Sequence, residues 1–289
     1  MTPALLLLLL VTSALFMIMV SLGLSLEPAE LVKLRHRPWL IARVLLGSCL
    51  LLPLLVLAVL LALPPGFLSP PARLAIALMA LSPSAPLTLR KSRLQGGDPE
   101  LTAVLQVGAA VVAIVSLPLL VDLYAHHMAV QGWDVRPPLV AAQIAKVQLL
   151  PLGLGLAVRL WQPTRALRMR QPLARLASLL QMLVVLLVLA LALPRLLPFL
   201  LSNLAAELVM ALLVLAALGI GALMAGPGRQ KRLTAGLVTS MRNPGLAMLL
   251  AATYAPDVIG TKLAILSYLL ITAVVSIPFL RLANVQTTE

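Results

Sequence analysis

The sequence predicts an all-α integral membrane protein of about nine transmembrane helices. Three observations lead there: its composition, the spacing of its apolar runs, and the distribution of positive charge between them. Hydrophobic residues make up 61% of the 289 positions and charged residues 11%, with a mean hydropathy of +1.06. A soluble domain of this length has too little interior to hide that much apolar surface. A bilayer requires none of it to be hidden.

Apolar stretches of roughly 20 residues recur, separated by charged or Pro/Gly-rich punctuation. They place helices over 4–25, 39–63, 72–92, 99–123, 137–160, 173–194, 204–225, 231–254 and 262–282. No hydrophilic segment is long enough for a separate soluble domain. The chain therefore divides into two transmembrane halves, 1–125 and 126–289, carrying helices one to four and five to nine. The first apolar run lacks a charged leading region and an A-x-A-like cleavage site, so it reads as a membrane helix rather than a signal peptide.

Basic residues outnumber acidic ones 22 to 9, a net charge of +13, and their placement gives the orientation. Alternate loops hold Lys33, Arg35 and Arg37; Arg90, Lys91 and Arg93; Arg165, Arg168 and Arg170; Arg229, Lys231 and Arg232; and Arg281 follows the last helix. The opposite loops hold little beyond Arg73, Arg136, Arg195 and Lys262, balanced by Asp134 and Asp257. Cytoplasmic loops carry the excess of Lys and Arg, so nine spans run from an external N-terminus to a cytoplasmic C-terminus, in a plasma (bacterial inner) membrane. Nucleic acid, the other partner of so basic a chain, is excluded because the charges sit in short loops with no basic domain. The lone cysteine, Cys49, supports neither a disulfide framework nor metal-ligand spacing. His126 and His127 lack further ligands and read as a solvated loop. No hydrolase, metalloprotease or nucleotide-binding motif and no paired inward carboxylates appear, so the chain reads as no enzyme and as needing no cofactor.

Two spans are interrupted. The third carries Ser82-Pro83-Ser84-Ala85-Pro86 and the eighth Ser240-Met241-Arg242-Asn243-Pro244-Gly245. Proline removes a backbone donor and clashes with the preceding turn, so both segments break or kink. Irregular backbone at membrane depth is tolerated only where it is buried in protein or lines a cavity. Two breaks at corresponding places in two halves point to a transporter's midplane site, whereas a single kink is often only packing.

At these breaks the chain resembles the bile acid:sodium symporter family. Ser21-Leu22-Gly23-Leu24-Ser25-Leu26 is similar to that family's Gly-Leu-x-Leu, and Pro53 to a proline in the following helix. Ser82-Pro83, Gly96-Gly97-Asp98 and Leu101-Thr102 resemble its third-span and loop motif. Lys146 with Leu150-Pro151 and Gly155 resembles a Lys-x-x-x-Leu-Pro-x-x-x-Gly helix, and Asn243-x-Gly245-Leu246-Ala247 its second crossing signature. The resemblance implies two inverted repeats with two broken helices crossing at the bilayer centre. It also implies a panel domain of helices one, five and six and a core of the other six.

The family's sodium ligands are implied at particular positions, and the chain departs from several. The acidic ligand falls on Val238 and the glutamine directly before the Asn-x-Gly on Arg242. A Ser-Asn pair falls on Thr88 and Leu89, a further glutamine on Ser48, and the hydroxyl-bearing ligands of the next helix on Thr102 and Gln106. A sodium ion about 5 Å from Arg242 would be repelled by roughly 3 kcal/mol at an effective dielectric of 20, and the missing carboxylate forfeits about as much. Half that swing still lowers affinity more than about a hundredfold, so sodium as a bound ion is doubtful.

An arginine near mid-membrane costs about 3 kcal/mol on insertion scales, so Arg242 needs partners. It either ties the broken helices through backbone carbonyls and Thr88 or Thr102, binds an anion beside the half-helix that starts at Asn243, or snorkels to one face. Lys146 contacts an anionic solute or snorkels along its stem. Glu207, Asp122 and Glu100 read as interfacial, and Asp98 and Glu100 as partners for Arg90 or Arg93.

The expected function is secondary transport of a small organic solute, an anion given the cationic midplane, by alternating access in the lipid bilayer. Thr88, Thr102, Gln106, Ser240, Arg242 and Asn243 form the crossing or solute site, and Lys146 is a possible further contact. The alternatives are a sodium- or proton-coupled carrier that binds its ion at backbone carbonyls, and a transport-dead relative acting as a membrane sensor or assembly partner. The oligomeric state stays open. In a Cys49→Ser background, single cysteines at 126–134 and 163–171 are expected to show opposite accessibility to an impermeant reagent. Equal labelling at both would contradict nine spans.

Overall fold

The computed structural model describes residues 3–26, 37–128 and 137–285. Lys33, Arg35, Asp134, Arg136 and most of segment 126–134 lie outside the described residues. Those described form helices and one isolated antiparallel bridge. The first helix, α1, is Pro3–Ser25. Helix α2 runs as Pro38–Leu46, a π turn Gly47–Leu51, and Leu52–Ala62. The third span is broken into α3 (Pro70–Leu81) and α4 (Thr88–Leu94), and α5 is Pro99–Met128. Helix α6 runs as Pro137–Ile144, a π turn Ala145–Leu149, and Leu150–Trp161. It is followed by α7 (Pro163–Ser202) and α8 (Leu204–Met224). The eighth span is broken into α9 (Arg229–Ser240) and α10 (Pro244–Tyr254), and α11 is Thr261–Val285.

Each of the nine expected spans thus has its helix or broken pair. Among the described residues five helices are long and apolar enough to cross a membrane, and α3 and α10 are among the shorter apolar ones. The protein is an all-α integral membrane protein.

Two features differ from the sequence reading. Residues 163–171 do not form a loop but the first turns of a single 40-residue helix, α7. Pro163 suits a first helical position, and the Arg, Ala, Leu and Met residues after it are strong helix formers. The π turns were not anticipated. Each ends two residues before a proline, Pro53 in α2 and Pro151 in α6. Widening the helix there relieves the clash between the proline ring and the preceding turn.

The chain separates into two compact units. One comprises residues 1–38 and 141–193, holding α1, most of α6 and α7. The other comprises residues 39–140 and 194–289, with both broken pairs. That is the composition the resemblance implied for panel and core, and each unit draws on both sequence halves.

Within the first unit α1 and α6 touch backbone to backbone. A Cβ on Gly23 would collide with the Leu152 carbonyl, and one on Gly155 with the Val20 carbonyl. Within the second, α8 and α9 meet as closely, since a Cβ on Gly221 would strike the Ala235 carbonyl. In lipid, where no hydrophobic effect drives helices together, such small-residue seams supply the packing energy. Gly155→Leu is therefore expected to destabilise the protein by about 1–3 kcal/mol, read as a lower melting temperature in detergent. Gly153→Ala, where a Cβ meets nothing within 4 Å, is expected to leave it unchanged.

Candidate functional site

The two breaks meet. In each, a serine precedes by four residues the proline that ends the irregular segment: Ser82 and Pro86 in one, Ser240 and Pro244 in the other. Ala85 N donates to Met241 O at 2.7 Å and Asn243 N to Pro83 O at 2.9 Å. Ser84 and Arg242 therefore face each other in an antiparallel bridge. They occupy equivalent places in the two breaks, as a local two-fold between inverted repeats requires. In a dry interior each freed backbone group needs a partner, and each break supplies the other's.

The Arg242 side chain completes the crossing. It is 2% exposed, which rules out snorkelling. Its nitrogens donate to five oxygens, four of them carbonyls that local geometry has left without a backbone donor. Pro83 has no N–H for Met79 O, and Arg242 Nε supplies one at 3.2 Å. Ser84 N, the helical donor for Ala80 O, lies beyond the break, and Nη2 takes that carbonyl at 2.5 Å. In α2 the π turn directs Leu52 N to Gly47 O. The next residue, Pro53, has no N–H, so Ser48 O is left over. Nη1 bonds it at 3.1 Å and Ser48 Oγ at 2.9 Å. Asn243 N is given to Pro83, which leaves Thr239 O for Nη1 at 3.4 Å.

No acceptor is a carboxylate, yet the charge is not left without compensation. Met79 and Ala80 are in the last turn of α3, and Thr239 in the last turn of α9. A helix C-terminus carries roughly half a negative charge, so both ends attract the guanidinium at short range, while the N-termini of α4 and α10 at the same crossing offset their far field. The guanidinium fork serves acceptors spread over three elements, which a lysine ammonium cannot do. Arg242→Ala should cost about 3 kcal/mol or more, because converging buried oxygens lose their donor. Millimolar methylguanidinium should restore much of the melting temperature, and Arg242→Lys should recover less. An Arg242→Ala protein as stable as wild type would contradict this assignment.

The sequence model described as the sodium bile acid symporter family matches residues 12–197, more than half of the chain. The chain belongs to the sodium bile acid symporter family. It is therefore a membrane transporter and not an enzyme. No curated protein matches the sequence. The matched region covers the greater part of α1, α2 to α6 and most of α7, and stops short of α9 and the break after it, where Val238 and Arg242 lie.

Against the ligand positions implied for that family, Val238 is fully buried among Leu40, Val44, Leu101 and Leu105. An apolar cluster therefore surrounds the position at which the resemblance places the acidic ligand. Ser48 is retained as an oxygen donor but serves Arg242. Gln106 reaches the crossing, its Nε2 donating to Ala85 O at 2.6 Å while its buried Oε1 has no partner. Asn243 caps α10, its Oδ1 accepting from Leu246 N at 3.2 Å. Buried Ser240 bonds Leu237 O at 3.4 Å.

Thr88 and Thr102 are not partners of Arg242, because the released carbonyls fill its donors first. Thr88 Oγ1 accepts from Ser84 Oγ at 3.2 Å, beside the crossing. Thr102 lies away from it, its Oγ1 bonded to Ser92 Oγ at 2.8 Å and Asp98 O at 2.6 Å. This knot ties α4 and α5 to α9, since Asp98 N donates to Thr234 Oγ1 at 2.8 Å. Asp98 does not pair with Arg90 or Arg93; its Oδ1 accepts from Leu101 N and so caps α5. Leu89 is half-buried and Lys146 is exposed on the π turn of α6. Exposed His126 and His127 stack edge to face at 5.1 Å.

Sequence reasoning missed the acceptors at Met79, Ala80 and Thr239, and the bond from Lys91 Nζ to Ser276 Oγ at 2.7 Å. The prolines carried a usable signal, since each marks a carbonyl four or five residues earlier as lacking its donor.

Proposed function

We propose that this transporter moves a small organic anion by alternating access, with the Arg242 side chain standing where its relatives hold a sodium ion. The observation that carries the proposal is the seating of a buried guanidinium, each of its nitrogens bonded, on carbonyl and hydroxyl oxygens while Val238 puts hydrocarbon at the implied acidic-ligand position. Ser48, at one of the implied ligand positions, is thereby occupied by a cation that cannot dissociate. The same occupancy disfavours coupling through backbone carbonyls. A chain kept only as a sensor or assembly partner would not need the paired breaks.

Charge at the crossing supports an anionic solute. The C-termini of α3 and α9 and the N-termini of α4 and α10 converge there in opposite senses, so their partial charges cancel and the guanidinium's unit charge remains. About 8 Å away, at an effective dielectric of 20, it favours a monovalent anion by roughly 2 kcal/mol and disfavours a cation equally. Arg242 acts through its field, since each of its nitrogens is already bonded within the protein. We assign an external N-terminus and a cytoplasmic C-terminus from the charge bias of the loops.

The test is a thermal-shift series on the purified protein with small organic anions and their neutral and cationic analogues, each in sodium and in choline chloride at equal ionic strength. An organic anion is expected to raise the melting temperature equally in both salts, because ligand binding to the native state adds stability by mass action. A shift that appears only in sodium, or one that sodium alone produces, would overturn the proposal.

A further inference from the structure

Helix α7 has 40 residues, about 60 Å at 1.5 Å per residue, against a hydrocarbon layer of roughly 30 Å. Its apolar portion follows Arg175, so residues 163–175 extend about 20 Å beyond it. Arg165, Arg168 and Arg175 are all exposed there. At 100° per residue they fall within an arc of about 80°. Ala166 and Ala177, which are 0% and 1% exposed, lie on the opposite side. The three arginines therefore form one outward stripe on the helix.

Among the described residues the stripe forms no ion pair. Between Asp134 and Glu207 the sequence holds no Asp or Glu. Arg165 Nη1 bonds only the neutral Gln162 Oε1, at 2.9 Å. The stripe also sits at a marked depth. Trp161, which ends α6, is 83% exposed and Leu160 56%, and exposed tryptophan belongs at the headgroup level. Exposed Leu167, Met169 and Leu176 flank the arginines, placing hydrocarbon beside positive charge as at a lipid surface.

We propose that Arg165, Arg168 and Arg175 form a docking stripe for anionic phospholipid headgroups. Each guanidinium presents a fork that matches a phosphate, and three along one face reach successive headgroups. The proposal is independent of the transported solute.

The test is titration of the purified full-length protein in a neutral detergent with short-chain phosphatidylglycerol, short-chain phosphatidylcholine or inorganic phosphate, read by melting temperature. Phosphatidylglycerol is expected to stabilise the wild-type protein well below the concentration at which phosphatidylcholine does, and inorganic phosphate at matched ionic strength to have no effect. Each basic residue at an anionic surface contributes about fivefold in affinity, so Arg165→Gln/Arg168→Gln/Arg175→Gln should weaken the response about a hundredfold. The corresponding lysine triple variant should keep most of it, which separates loss of charge from loss of fold. Equal responses to the two lipids, an unchanged titration in the glutamine variant, or reproduction of the shift by inorganic phosphate would each overturn the proposal.

Discussion

The core unit depends on one guanidinium. Arg242 gathers carbonyls from α2, α3 and α9 that prolines and a π turn have stripped of their helical donors. Without it, the irregularities needed to cross two broken helices would leave buried acceptors at the least forgiving depth of the membrane. With it, the end of α3 and the end of α9 are held on either side of a fixed charge, and the bridge between Ser84 and Arg242 keeps the breaks in register. Pro83 and Pro53 are thus as much a part of the cation's environment as the arginine, because they decide which oxygens are free to receive it.

A dissociable ion at such a crossing can report whether the site is loaded. A tethered one cannot, since its effective concentration is constant and its position is fixed by its own backbone. On the proposed reading, Val238 at the implied acidic-ligand position belongs to the same change. A carboxylate beside Arg242 would form a neutral pair and remove the field proposed to select an anion, whereas valine joins Leu101 and Leu105 in a dry cluster. That proposal requires the positive potential at the crossing to persist through the transport cycle. Arg165, Arg168 and Arg175 are the opposite case, exposed on α7 beyond its apolar portion.

Much of this was legible in the sequence, and the illegible remainder has physical causes. The breaks followed from Pro83, Pro86 and Pro244, and their meeting from the need to satisfy freed backbone in a dry interior. The nine spans followed from hydropathy alone, because a bilayer fixes helix length more strictly than a soluble core does. The partners of Arg242 were harder to read. Hydroxyl side chains such as Thr88 and Thr102 stand out in a sequence, but the oxygens used belong to the backbone of Met79, Ala80 and Thr239, whose side chains are silent. The length of α7 was misread because Arg165, Arg168 and Arg170 read as a charged loop between apolar runs, and the helix runs through them and on to Ser202. The π turns depend on strain relief over a few residues, which hydropathy does not encode.

The most direct measurement is equilibrium binding of radioactive sodium to the purified protein, compared between wild type and the Val238→Glu/Arg242→Gln double variant. A cation built into the chain predicts no saturable sodium binding to wild type in the millimolar range and its partial appearance in the double variant, where a carboxylate and open carbonyls replace the tethered charge. Saturable, near-stoichiometric sodium binding to the wild-type protein would contradict it.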